Sequence, residues 1–199
     1  MKVIKLNSNP LTYSCNAYLL LGDWNTIDDM NTVIDTGADG YLISQIESIN
    51  TGLGKVPVDQ VIITHNHFDH TGGLKSLVAN YKPKIYSALN VEGAETNILK
   101  HNQEIKIAEG WCRVIHTPGH STDSICIYCE KNGILFTGDT TIHIHTDDGT
   151  YTKDYVQSLK LLAELDVKIV YPGHGSPISS NPKEMIKNTL KIVRNSHII

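Results

Sequence analysis

The segment Val61-Ile62-Ile63-Thr64-His65-Asn66-His67-Phe68-Asp69-His70-Thr71-Gly72-Gly73 constrains this chain more than any other. Its apolar start predicts a strand buried on both faces, and four residues of metal-ligand type follow within six positions. Side chains alternate along extended backbone. If that geometry runs on past Thr64, His65 and His67 project to one side, whereas Asp69 and His70 sit where the chain turns into a helix. The segment can therefore serve two ions. Each residue also has a bland use, since a lone loop histidine is usually solvated and an aspartate can cap a helix. The density of the cluster argues against that use for all four together.

Three later segments repeat the device of an apolar strand delivering one histidine or aspartate into a turn containing glycine: Thr117-Pro118-Gly119-His120-Ser121, Phe136-Thr137-Gly138-Asp139-Thr140 and Tyr171-Pro172-Gly173-His174-Gly175. Upstream, Val33-Ile34-Asp35-Thr36-Gly37 ends a strand in the same way. Strand-like runs are expected at 3–6, 16–21, 32–35, 60–64, 84–86, 112–116, 124–129, 133–136 and 168–171. Helical periodicity appears at 40–49, 70–80, 91–100, 153–165 and 182–195, with Thr152 placed to cap the fourth. The class is mixed α/β, and with no linker, repeat or low-complexity tract, one domain over residues 1–199 is expected.

A hydrophobic content of 40%, with 19% charged residues, is ordinary for a globular chain. The formal charge of -4 supplies no basic footprint for nucleic acid. No apolar run reaches the ~18 residues that span a bilayer, and the start lacks a signal-peptide core, so a cytoplasmic location without membrane partners is expected. Cys15, Cys112, Cys126 and Cys129 show no disulfide framework and are expected to be reduced. Cys126 and Cys129 do form a C-x-x-C, but within an apolar strand the two point to opposite faces and read as buried structural residues.

The ordered set H-x-H-x-D-H, then His120, Asp139 and His174, resembles the metallo-β-lactamase superfamily over nearly the whole chain. That resemblance implies a four-layer αββα sandwich in which His65, His67 and His120 hold one metal, Asp69, His70 and His174 hold a second, and Asp139 bridges both. Asp35 would support the ligands without touching metal. The site is most similar to those of short glyoxalase II-like and lactonase-like hydrolases. Asp139 stands where one class of true β-lactamases has cysteine, and His67 stands where flavodiiron relatives have glutamate. Glutathione recognition is not implied, because the helical domain those enzymes append has no counterpart after His174, and Thr140-Thr141 replaces their usual Gly-Arg.

The activity implied is hydrolysis of a small-molecule ester, thioester or lactone. By that resemblance two zinc ions would supply a metal-bound hydroxide for the attack, and Asp69 would orient it and help move its proton. The donor set also suits iron or manganese. One alternative is a persulfide (sulfur) dioxygenase with a single iron on His65, His120 and Asp139; another is a non-catalytic, metal-binding regulatory protein. His143 and His145 alternate with Ile142 and Ile144, so both can face one way, either into the substrate pocket or into solvent. Tyr13, Tyr41 and Tyr151 are further candidates for the pocket.

Overall fold

The computed structural model describes residues 1–199. Six strands, β1 (Lys2–Leu6), β2 (Ala17–Leu21), β3 (Thr32–Ile34), β4 (Gln60–Ile62), β5 (Lys84–Ser87) and β6 (Thr96–Ile98), lie side by side in chain order. The first three are antiparallel, and β3 to β6 run parallel. Four strands follow, β7 (Glu104–Ile107), β8 (Gly110–His116), β9 (Ile125–Cys129) and β10 (Ile134–Gly138). After the two-residue β11 (Thr150–Tyr151), β12 (Ile169–Pro172) completes a second sheet of order β12-β10-β9-β8-β7, parallel only at β10–β12. The short β13 (His197–Ile198) pairs with β11.

Helices cover both outer faces. Against the first sheet lie α1 (Leu42–Ser48), the single turn α2 (Phe68–Thr71) and α3 (Leu74–Tyr81); against the second lie α4 (Lys153–Ala163) and α5 (Pro182–Asn195). The strand sequences explain the layers. In β2, Tyr18 and Leu20 join the core between the sheets, whereas Leu19 and Leu21 pack with Leu42, Ile46, Leu74 and Leu77 of the helices. In β9 and β10, Ile127 and Phe136 face inward, while Tyr128 and Leu135 meet Leu162 and Ile186. A strand covered on both faces has no polar side to show, which is why these segments read as unbroken apolar runs. The result is the expected αββα sandwich.

Thr152 caps α4 by accepting a hydrogen bond from the Tyr155 amide at 3.2 Å, and Tyr155, Leu159 and Leu162 bury one stripe, as the periodicity predicts. Three expectations fail. The 91–100 run is not a helix: Gly93 sits at φ +75° and the run ends in β6, so the helical spacing of its apolar residues is coincidental. The helix expected over 70–80 breaks into α2 and α3 at Gly72 and Gly73, where a Cβ would lie 2.2 Å from Ala38 O and 2.4 Å from Thr36 O. Those glycines let the histidine-rich turn rest on the Asp35 turn. Finally, Cys112 and Cys129 are not reduced thiols but a disulfide across β8 and β9, one step beyond the Arg113–Tyr128 pair. Strand register brings them together over a separation of 17 residues, which local sequence does not reveal. Cys126, facing α4, stays free, as does Cys15.

Candidate metal centre

The donors converge at one end of the seam between the sheets. His65, His67, Asp69 and His70 follow β4 of the first sheet, while His120, Asp139 and His174 follow β8, β10 and β12 in or beside the second. Backbone bonds lock the loops together: Ile125 N donates to Thr64 O (2.9 Å), Gly173 N to Gly138 O (2.7 Å) and Asn16 N to Gly173 O (2.6 Å). Two groups result, His65–His67–His120 and Asp69–His70–Asp139–His174, and in each the donor atoms lie within 4.8 Å of one another. All seven residues expected from the sequence are brought together.

Asp139 stands between the groups. Its Oδ1 is 3.2 Å from His70 Nε2, and its Oδ2 lies 3.5 Å from His174 Nε2, 3.6 Å from His120 Nε2 and 4.0 Å from His65 Nε2. Asp69 Oδ2 is 3.1 Å from His174 Nε2. Every ion pair these two carboxylates make is to a histidine. Buried with no hydrogen-bond partner are Nε2 of His65, His70 and His174, together with Oδ1 of Asp139. Orphaned polar atoms are costly and uncommon. Four that converge on one spot fit cations, so the residues present suit a pair of metal ions.

Asp35 lies beneath this cluster, 2% exposed and at φ +55°, a backbone region that aspartate tolerates better than most residues. Its Oδ1 accepts the Thr64 amide, and its Oδ2 accepts both the Thr64 hydroxyl and His70 Nδ1, each at 2.8 Å. Thr64 has thus committed its only proton, so its 3.2 Å contact with His65 Nδ1 requires the ring to donate. In the neutral form of each ring the hydrogen is thus on Nδ1, and Nε2 is the atom that faces the cluster. One carboxylate sets a tautomer in each donor group.

Electrostatics set the two rings apart. Burial and the neighbouring His70 push His65 down to about 4, so it is neutral at pH 7. Burial opposes ionisation of Asp139, but His70, 3.2 Å away, and the surrounding imidazoles hold it down to about 2. At His70 burial disfavours the cation, yet Asp35 and Asp139 raise its pKa, so without a metal this ring keeps a proton on Nε2 toward Asp139. The pocket is thus a set of fixed carboxylates with basic nitrogens turned inward.

Of the remaining candidates, Tyr13 is exposed and stacks on His174, with centroids 5.2 Å apart. Tyr151 stacks on Tyr155 and lines a cavity shared with His120, whereas Tyr41 stands at the start of α1, beside a separate small pocket. His143 and His145 do face one way, with ring centroids 4.0 Å apart, and His143 borders the cavity of about 560 Å³ that contains Asp139 and His174. Sequence reasoning missed Thr64, and it missed Asp123, which accepts the Asn66 amide (2.9 Å) and the Ser121 hydroxyl (2.7 Å) and so ties the His67 turn to the His120 turn. Asn16 was missed too; its side-chain amide donates to Pro172 O and Gly175 O, both at 2.9 Å, and fixes the His174 turn. Asp123 and Asn16 act across the seam, where no local pattern marks them, while Thr64 acts through the Asp35 turn, 29 residues away in sequence.

Relatives carry the same architecture. An archaeal metallo-beta-lactamase superfamily protein from Sulfolobus tokodaii superposes with a TM-score of 0.69 at 21% identity, over 95% of this chain and 84% of its own. ETHE1 from Myxococcus xanthus superposes with a TM-score of 0.69 at 22% identity, over 96% and 90%. In sequence, an atrochrysone carboxyl ACP thioesterase of Aspergillus fumigatus is 27% identical over 201 residues, covering 94% of this chain and 47% of the relative. Lactamase-like protein aptB of Emericella nidulans is 30% identical over 193 residues, covering 93% and 59%. The chain thus spans about half the length of these curated relatives. The family model of the metallo-beta-lactamase superfamily matches residues 11–109 and 113–174, a span that holds Asp35 and all seven donors. On that match and on the fold, the chain belongs to the metallo-beta-lactamase superfamily.

Proposed function

We propose that this chain is a metal-dependent hydrolase of thioesters, with related esters and lactones as lesser substrates, and that its resident metals are two zinc ions. The observation that carries the reading is the convergence of buried, unpartnered nitrogens on Asp139. His65, His67 and His120 would hold one ion; Asp69, His70 and His174 the other; the two oxygens of Asp139 face both groups. When bound, such a pair supplies Lewis acidity that polarises a carbonyl and acidifies water. Iron or manganese would satisfy the same donors, and ligand chemistry alone does not choose among them.

The chain's own residues then do the following. Asp35 binds Nδ1–H of His70 directly and sets that of His65 through Thr64, so in both rings Nε2 is the nitrogen turned toward a cation; His65 offers it already bare, and His70 gives up its Nε2 proton as the cation enters. Asp69, half-buried, has one oxygen turned to His174 and a second free to receive the proton that water gives up. A bond forms between water oxygen and the acyl carbon, the carbon–sulfur bond breaks, and the products are a carboxylic acid and a thiol. Thiolates leave without prior protonation, which favours thioesters at a site whose second carboxylate, Asp139, is held ionised. Two relatives named as thioesterases, in Aspergillus fumigatus and Emericella nidulans, support that choice of substrate.

Elemental analysis of protein purified without added metal tests the reading, together with turnover of matched thioester and lactone panels. Two zincs per chain with thioester turnover is the expected result; His67→Ala and Asp139→Ala should lower metal content and remove most activity. One iron per chain, with oxygen uptake on a persulfide, would replace the hydrolase by a dioxygenase.

A further inference from the structure

Two grooves lie near the metal centre, and their linings differ. One, of about 760 Å³, includes Asn66 and Phe68, the neighbours of His67 in sequence, and has Phe68, Leu74, Val78, Val91 and Ala94 as the hydrophobic five of its twelve lining residues. At the His174 side, the cavity that contains Asp139 reaches His143, which also lines a second groove, of about 650 Å³, along α5. Only three of the twelve residues lining that second groove are hydrophobic.

The wall between the metal cavity and the α5 groove is a fixed structure. Thr189, buried on α5, donates to Ile142 O at 2.7 Å and accepts the Ile144 amide at 3.1 Å. Ile142 packs among Leu162 and Ile186, and Ile144 against Tyr155 and Leu159. Alternation then leaves His143 and His145 on the outward side, where their rings meet.

We propose that the α5 groove binds the leaving-group arm of the substrate, and that this arm is a flexible chain bearing secondary amides. The proposal rests on the thioester reading above and gives it a substrate class. Asn181, Glu184 and Asn188 offer acceptors, and Lys191 joins the asparagines in offering donors. A secondary amide needs one of each. An alkyl arm would strip water from the same groups and return nothing. With the arm entering past His143, the sulfur of the scissile bond lies toward His174 and His143, the two residues bordering the cavity on that side. His143 is then a specificity residue at the threshold of the arm's path.

Calorimetric titration with a thiol-free diamide, N-propylpantothenamide, tests this on the protein as purified. Saturable binding is expected, weakened about tenfold in Asn188→Leu for the loss of one or two net hydrogen bonds, and retained in Phe68→Asp, which alters the other groove. Equal affinity in wild type and Asn188→Leu, no saturable binding to wild type, or loss confined to Phe68→Asp would each overturn the assignment. A second readout is the ratio of kcat/KM for a pantetheine thioester to that for an ethanethiol thioester of the same acid. The ratio should exceed one in the wild type and fall toward one in Asn188→Leu; an unchanged ratio counts against the groove. If the diamide binds with the expected dependence on Asn188 but neither thioester is cleaved, the hydrolase reading fails and the groove assignment stands.

Discussion

Replacing Asp35 by asparagine tests the tautomer argument, because it keeps the shape of the side chain and its tolerance for φ +55° while changing one oxygen into a donor. Suppose the amide oxygen faces the Thr64 amide. The new NH2 then points at Thr64 Oγ1 and His70 Nδ1, both of which now give protons to Asp35. To avoid donor meeting donor, His70 must move its hydrogen to Nε2, and Thr64 is freed to donate to His65 Nδ1, which shifts that ring in the same sense. Flipping the amide restores His70 but sets NH2 against the buried Thr64 amide, 2.8 Å away in the native arrangement. Either way, metal binding must overcome at least one unmade buried hydrogen bond, worth about 1–3 kcal/mol, or roughly 5- to 150-fold in affinity. Competition against a chromophoric chelator measures this directly. The metal-free variant should lose only ~1 kcal/mol, a few degrees in Tm for a chain of this size. Native affinity in both metal groups would refute the argument, as would a loss of affinity explained wholly by unfolding of the metal-free variant.

Other expected outcomes are simpler to state. In Gly173→Ala a Cβ would stand 2.2 Å from Asp139 Oδ1 and 2.9 Å from His70 Cε1, so the carboxylate must move; metal content should fall although the fold survives, and full retention would show that the turn yields. Thiol titration of denatured, unreduced protein should find two free thiols, and four after reduction, because Cys112 and Cys129 are joined. Burial pushes the Cys126 thiol up to about 11, so in native protein near pH 8 it should alkylate far more slowly than a small free thiol; comparable rates would contradict its burial. Thr152→Ala removes the cap of α4 and should cost about 1 kcal/mol in denaturant unfolding; no measurable change would mean that the Tyr155 amide finds another partner.

What was legible in the sequence divides along a physical line. The donors were visible because they follow strand ends: His65 comes directly after the apolar run Val61-Ile62-Ile63 with three more ligand types close behind, and Asp139 stands where Phe136-Thr137 meets Gly138. Helix α5 was visible to the residue because Pro182 opens it and its apolar stripe persists over four turns. Hidden were the features that depend on what lies opposite. Cys112 meets Cys129 only through the register of β8 against β9, and Asn16 meets the His174 turn from more than 150 residues away. The false helix at 91–100 had the right spacing of apolar residues but only Val91 and Leu99 buried, too little to hold a helix against Gly93. Asp35 was anticipated by resemblance, yet its command of two tautomers rests on Thr64, whose role needs the hydroxyl's position.

The seam between the sheets also bears on the order of events during folding. A chain with only its first sheet formed can gather His65, His67, Asp69 and His70, whereas His120, Asp139 and His174 arrive with the later strands. Neither metal group is complete until the halves dock, since each draws donors from both. Metal uptake during refolding should therefore lag behind the gain of secondary structure and keep time with closure of the inner core around Tyr18 and Phe136. Cation capture would then serve as a latch on the last step, slowing unfolding far more than it speeds folding.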